Sequence, residues 1–239
     1  MKRSEFAGIG VRLVGGTDGA GGGGGPLVVL MHGFGARGDD LVSLWRAVEA
    51  PRGTRWAFPE APLVLQAAPV EARAWWPVDI EEMMAASERG GFDDFVRRVP
   101  AGLEHTRDRV VECLGELRAK LGVTRLVLGG FSQGAILTCD IALRTDLDLG
   151  GLVVLSGTPV GAGGAGTNGT ARTGLPVFQS HGTSDLLLPF AQAEKLRESL
   201  AKRGMNVTWV PFRGGHEVSD VVLSGLGAWL RTTLEGHDL

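Results

Sequence analysis

Cysteine is scarce in this chain, with two residues in 239, which excludes a disulfide scaffold. Cys113 falls on the apolar face of a helical stretch and Cys139 lies inside another. Both read as small buried hydrophobes, and no metal site is expected. Net charge is nearly absent as well: a formal value of −3 gives no case for nucleic acid or an anionic membrane surface as partner. No apolar run approaches the roughly 20 residues of a membrane span. Behind the basic residues Lys2 and Arg3 there is no apolar stretch of the kind a secretion signal needs, so the expected compartment is the cytoplasm. Asn168-Gly-Thr and Asn206-Val-Thr match a glycosylation pattern that carries no weight without such a signal. No internal repeat and no linker interrupts the chain, and residues 1–239 are expected to form one domain.

What is present is an alternation of apolar strands and helical stretches. Strands are expected over Gly8–Val14, Leu27–Met31, Trp56–Pro59, Leu126–Gly130, Gly151–Ser156, Pro176–Ser180 and Asn206–Phe212. Helices are expected over Leu41–Glu49, Leu103–Leu121, Ala135–Leu143, Pro189–Leu200 and Val218–Leu234. Leu103, Val110, Leu114, Leu117 and Leu121 recur at helical spacing, with Arg and Glu on the opposite face. Glu81–Arg98 reads as short helices covering a cleft. Gly15–Gly25 and Gly161–Gly174 read as flexible loops. Strands alternating with helices over the whole length predict an α/β architecture, a doubly wound, mostly parallel sheet with helices on both faces.

The most informative stretch is Leu126–Gly134. An apolar strand enters the turn Gly130-Phe-Ser-Gln-Gly134, and a helix leaves it. This is the G-x-S-x-G pattern in the context that gives it meaning: a serine on a sharp strand-to-helix turn is strained, and only glycines fit beside it. The turn lifts the Ser132 hydroxyl above the sheet, and the Gln133 N–H at the helix N-terminus can meet a developing negative charge.

A second glycine turn offers a rival. Gly33-Phe-Gly-Ala-Arg-Gly38 spells G-x-G-x-x-G after a strand, with Glu60 about 20 residues on, as in a dinucleotide-binding oxidoreductase. Asp39 and Asp40 would stand where a pyrophosphate must bind, and they make better sense as N-cap and first-turn acids of the following helix. His32-Gly33 matches instead the loop that supplies an oxyanion donor after an early strand.

A nucleophilic serine needs a base and an acid to orient it. His216 follows the last strand in a glycine loop at the carboxyl edge of the sheet. His105 lies on a charged helix and His237 in the tail, while His32 and His181 sit at strand ends and are expected to bond to backbone. Asp185 lies just past a strand end at the same edge as Ser132. Asp146 and Asp148 should lie at the far edge, and Asp79 is the remaining competitor. The order Ser132, Asp185, His216 is that of the α/β-hydrolases.

Further segments complete a family likeness: Leu30-Met-His-Gly-Phe-Gly35, Phe58-Pro-Glu-Ala-Pro62, Arg73-Ala-Trp-Trp76, Leu155-Ser-Gly157, His181-Gly-Thr-Ser-Asp-Leu-Leu-Leu-Pro189 and Gly215-His216. With Gly129–Gly134 they span nearly the whole chain. The sequence resembles the phospholipase/carboxylesterase family of α/β-hydrolases, in its bacterial carboxylesterase and acyl-protein thioesterase branch. The resemblance implies an α/β-hydrolase fold and a triad of Ser132, Asp185 and His216. It also implies an oxyanion hole from the amides of Phe34 and Gln133, and an acyl channel lined by Trp75 and Leu188. The expected activity is serine carboxylesterase action on small-molecule esters of short to medium acyl length, without metal or cofactor. Acyl-protein thioesterase or lysophospholipase action would use the same residues. Thr158 stands where the family commonly has a large aromatic, and Ala135 where a second glycine often follows the turn.

Overall fold

The computed structural model describes residues 1–65, 71–161 and 172–235. Its strands in chain order are β1 (Lys2–Phe6), β2 (Ile9–Gly16), β3 (Ala20–Gly22), β4 (Leu27–Met31), β5 (Arg55–Pro59), β6 (Leu63–Leu65), β7 (Ala72–Ala74), β8 (Leu126–Phe131), β9 (Gly151–Leu155), β10 (Pro176–Gly182) and β11 (Asn206–Phe212). The helices are α1 (Leu44–Ala47), α2 (Ile80–Glu88), α3 (Phe92–Arg97), α4 (Leu103–Leu121), α5 (Gln133–Arg144), α6 (Phe190–Lys202) and α7 (Asp220–Glu235).

The main sheet runs β1-β2-β5-β4-β8-β9-β10-β11, with β3 paired beside β2. From β5 to β11 every neighbouring pair is parallel, while β1 and β2 join antiparallel at one edge. This is the α/β-hydrolase arrangement, a mostly parallel mixed sheet with helices on both faces. The central strands β4 and β9 are buried along their whole length and β8 along all but its last residue, which is why their sequences are continuously apolar. Alternate residues still go to opposite faces. Leu27, Val29 and Met31 of β4 join one core with α4, α5 and α6, whereas Val28 and Leu30 join a second core with α7. Burying each such side chain contributes about 1.5–3 kcal/mol. The chain moves from β4 to β5 on one side and later to β8 on the other. The loops after β4 and β8 therefore diverge at the carboxyl edge and open a crevice there.

Four local expectations change. β1 was not foreseen, because its sequence is polar; it is an edge strand whose last residue, Phe6, is buried. The run Gly15–Gly25 is not a loose connection. Asp18 accepts hydrogen bonds from the Ala20 and Gly22 amides, Thr17 N–H bonds to Gly22 O, and β3 pairs with β2. A Cβ on Gly16 would lie 2.1 Å from the Gly22 carbonyl oxygen, so the close approach needs glycine there. The helix expected over Leu41–Glu49 shrinks to the single turn α1. Asp40 does not cap it, because its side chain accepts from the Gly38 N–H just before, while buried Leu41 and Val48 pin the segment at both ends. Finally, β6 and β7 form a hairpin in a stretch with no strand pattern. The expected loop Gly161–Gly174 and His237 fall largely or wholly outside the described residues.

Candidate active site

Ser132 stands between β8 and α5 with φ 56° and ψ −118°, a conformation that side chains other than glycine's rarely adopt. The backbone passes so close to itself that a Cβ on Gly130 would lie 2.4 Å from the Gly134 carbonyl carbon, and one on Gly134 would lie 2.1 Å from the Met31 carbonyl oxygen. These contacts are the steric reason for glycine on each side of the serine. They also lock the start of α5 against the end of β4.

The loop after β11 brings His216 to the serine. His216 Nε2 lies 2.8 Å from Ser132 Oγ, and Nδ1 lies 2.7 Å from Asp185 Oδ2. Asp185 Oδ1 accepts the Leu187 and Leu188 amides, each at 2.9 Å. Burial by itself would raise the Asp185 carboxyl. Hydrogen bonds from His181, His216 and the Leu188 amide outweigh it and hold the group well below the usual carboxylate range. A carboxylate that stays ionised fixes the His216 hydrogen on Nδ1 and leaves Nε2 facing the serine as an acceptor. The arrangement can take the hydroxyl proton as the oxygen attacks an electrophile.

Beside it runs the loop after β4. A Cβ on Gly33 would meet Ser132 Cβ at 3.2 Å, so the loop lies against the serine. His32 anchors it: Nε2 accepts the Ala61 amide at 3.0 Å and Nδ1 lies 2.8 Å from Gly33 O, which places the hydrogen on Nδ1. Burial holds the His32 ring below its ordinary pKa, in keeping with that neutral tautomer. No helix N-terminus follows Gly38 directly, since α1 begins at Leu44. The dinucleotide geometry is therefore missing. Phe34 and Gln133 border the same cavity as Ser132 and His216, and Gln133 opens α5, where a helix has no internal partner for its N–H.

That cavity has a volume of about 440 Å³. Its walls come from Trp76, Ile136, Leu187 and Leu188, and α2 and α3 contribute Met83, Phe95 and Val96. The short helices over Glu81–Arg98 do cover the cleft. Leu188 packs with Met83, Phe92 and Val96 in a small separate core. Trp75 is corrected: it is 1% exposed and does not border the cavity, while Trp76 does. The two follow β7, where successive side chains point to opposite sides. The Trp75 amide is held by Gln133 Oε1 at 2.9 Å, its indole N–H donates to His32 O at 2.9 Å, and Gln133 Nε2 donates to Trp76 O at 2.8 Å. The Gln133 side chain thus clamps the tryptophan segment, a role the sequence pattern did not disclose.

The competing groups lie elsewhere. Asp79 borders the cavity but caps α2 by accepting the Glu82 amide. Asp148 pairs with Arg118 beyond the far end of α5. His105 is exposed on α4. Cys113 and Cys139 are buried free thiols, both pushed up to about 12 by burial, and neither is a nucleophile at neutral pH.

The phospholipase/carboxylesterase family model matches residues 24–234. The chain belongs to that family. It is accordingly a hydrolase of the serine-esterase class. Acyl-protein thioesterase 1 of Eremothecium gossypii is 28% identical over 221 residues, covering 87% of this chain and 88% of the relative. A crystal structure of esterase PE8 has a TM-score of 0.77 and 27% identity, covering 98% of this chain and 100% of its own. The Bacillus cereus carboxylesterase, at a TM-score of 0.72 and 20% identity over 94% of each chain, shares the fold. Among the described residues of this family member, no helix is long and apolar enough to cross a membrane.

Proposed function

We propose that this family member is a serine carboxylesterase acting on short-to-medium acyl esters through an acyl-enzyme. Ser132 Oγ attacks the ester carbonyl while His216 Nε2 takes its proton. Asp185 holds the imidazolium that results, and the amides of Phe34 and Gln133 stabilise the tetrahedral oxyanion. His216 then protonates the leaving alcohol, and water repeats the sequence on the acyl-enzyme. The observation that carries this reading is His216 itself, with one ring nitrogen 2.8 Å from Ser132 Oγ and the other 2.7 Å from Asp185.

The cavity supports that acyl length. Its lining from α2, α3, Trp76 and Leu188 is largely apolar. Each methylene buried there adds at most about 0.8 kcal/mol, or about fourfold in kcat/KM, until the space is filled. A p-nitrophenyl ester series should show its best kcat/KM between about C2 and C8, falling by C16, because a fixed volume stops rewarding added carbons. Ser132→Ala should abolish activity throughout. Undiminished turnover by Ser132→Ala would overturn the mechanism.

A thioesterase or lysophospholipase reading has one specific support. Val99 borders the cavity and is 49% exposed, an apolar surface over which a long chain can run out. A maximum at palmitoyl esters or thioesters in the same series would put that reading first.

A further inference from the structure

A second imidazole stands behind Asp185. His181 lies near the carboxyl end of β10 and is 0% exposed. Its Nε2 is 2.8 Å from Leu188 O and 3.2 Å from Asp185 Oδ2. A carbonyl and a carboxylate only accept, so Nε2 carries a hydrogen that both oxygens share. Asp185 Oδ2 therefore meets ring N–H groups from two histidines, while Oδ1 takes the amides of Leu187 and Leu188. Leu188 closes the loop, giving its N–H to Oδ1 and receiving the His181 hydrogen at its carbonyl.

The other ring nitrogen supports the same assignment. His181 Nδ1 is buried and has no hydrogen-bond partner. A buried polar atom left unpaired is unfavourable, and an apolar side chain of similar size would avoid it. Packing by itself thus gives no reason for histidine at this place; the Nε2 hydrogen does. His181 is also absent from the cavity wall, so it cannot act by touching substrate.

We propose that His181 is a positioning residue, whose Nε2–H, shared between Leu188 O and Asp185 Oδ2, holds the acid in the orientation His216 requires. The assignment rests on the reading of Ser132, His216 and Asp185 as the reacting set. Without His181, Oδ2 loses one of its two ring N–H contacts, and the Leu188 carbonyl loses its donor. The carboxylate keeps the two amides and His216, but it loses the second restraint on Oδ2, and the freed Leu188 carbonyl loosens the loop that carries those amides.

The test is a cycle of variants assayed on p-nitrophenyl butyrate, after Ser132→Ala has been shown to abolish wild-type activity. Should Ser132→Ala stay active, the parent reading fails and this one with it. His181→Leu removes the donor and keeps the volume, and should lower kcat about 10- to 100-fold with KM within about twofold. His181→Gln places an amide N–H near the Nε2 position and should restore kcat to within about fivefold of wild type. In an Asp185→Asn background, adding His181→Leu should cost less than about threefold more, because the two residues act as one unit. If His181→Leu does not fold by thermal unfolding, His181→Asn, whose amide falls short of both oxygens, replaces it in every arm. Wild-type kcat in the donor-less variant would overturn the proposal, as would no recovery with Gln or a full multiplicative loss on top of Asp185→Asn.

Discussion

Replacing Asp185 by Asn separates the charge of the acid from its shape. Asp185 Oδ1 faces two amide donors at 2.9 Å, and Oδ2 faces His216 Nδ1 at 2.7 Å. The NH2 group of Asn would oppose two amide donors at 2.9 Å in the Oδ1 position but only the His181 N–H, 3.2 Å away and already given to Leu188 O, in the Oδ2 position, so it takes the latter. His216 must then accept at Nδ1 and carry its hydrogen on Nε2, where it points at Ser132 Oγ 2.8 Å away. A nitrogen already protonated cannot take the serine proton. The expected loss is about 10⁴-fold in kcat, which corresponds to about 5.5 kcal/mol at 1.36 kcal/mol per decade. KM should change little, because Asp185 does not border the cavity. The same variant tests the electrostatics. The folded carboxyl is held below its unfolded value of about 3.9, so its stabilisation is complete above that pH and drains away as pH falls below it. Asn does not titrate. The gap in Tm between wild type and Asp185→Asn should therefore be widest near neutrality and should narrow on acidification below pH about 4. Steady-state kinetics on p-nitrophenyl butyrate and calorimetry between pH about 7 and 3 measure both effects. A kcat within tenfold of wild type, or a Tm gap that ignores pH, would refute the reasoning.

Variants at three further residues probe the walls of the site. Phe34→Leu keeps the backbone donor and should retain most activity, whereas Phe34→Pro removes it and should cost about 10²–10³-fold or more; equal rates in an ester assay would place the oxyanion donors elsewhere. Trp76→Ala should move the acyl-length optimum to longer chains, since Trp76 borders the cavity. Trp75→Phe, which loses the indole bond to His32 O, should lower stability by about 1 kcal/mol with the optimum unmoved; a shifted optimum there would return Trp75 to the channel.

The elements legible in advance share one property: their cause is local. α4 spans Leu103–Leu121 as its periodicity requires, and the buried strands β4, β8 and β9 fall on the continuous apolar runs. β1 was missed because an edge strand with one buried side chain carries little pattern. The helix expected over Leu41–Glu49 is reduced to α1 because Asp40 has two possible amide partners, and the nearer one, Gly38, takes it.

The site divides in the same way. Sequence alone marked the Ser132 turn, where Gly130 answers a contact with Gly134 four residues on, and it determined the order in which Asp185 and His216 follow; the approach of Gly134 to Met31 belongs to the tertiary structure. It also placed His32 and His181 at strand ends with backbone partners, which both have. Tertiary structure alone decided that Trp76 and not Trp75 faces the cavity, since that depends on Gln133 clamping the segment from 57 and 58 positions away. It alone put the His181 N–H behind Asp185. That contact depends on how Asp185 to Leu188 fold back over the end of β10, and no spacing of residue types encodes which oxygen a ring nitrogen will meet.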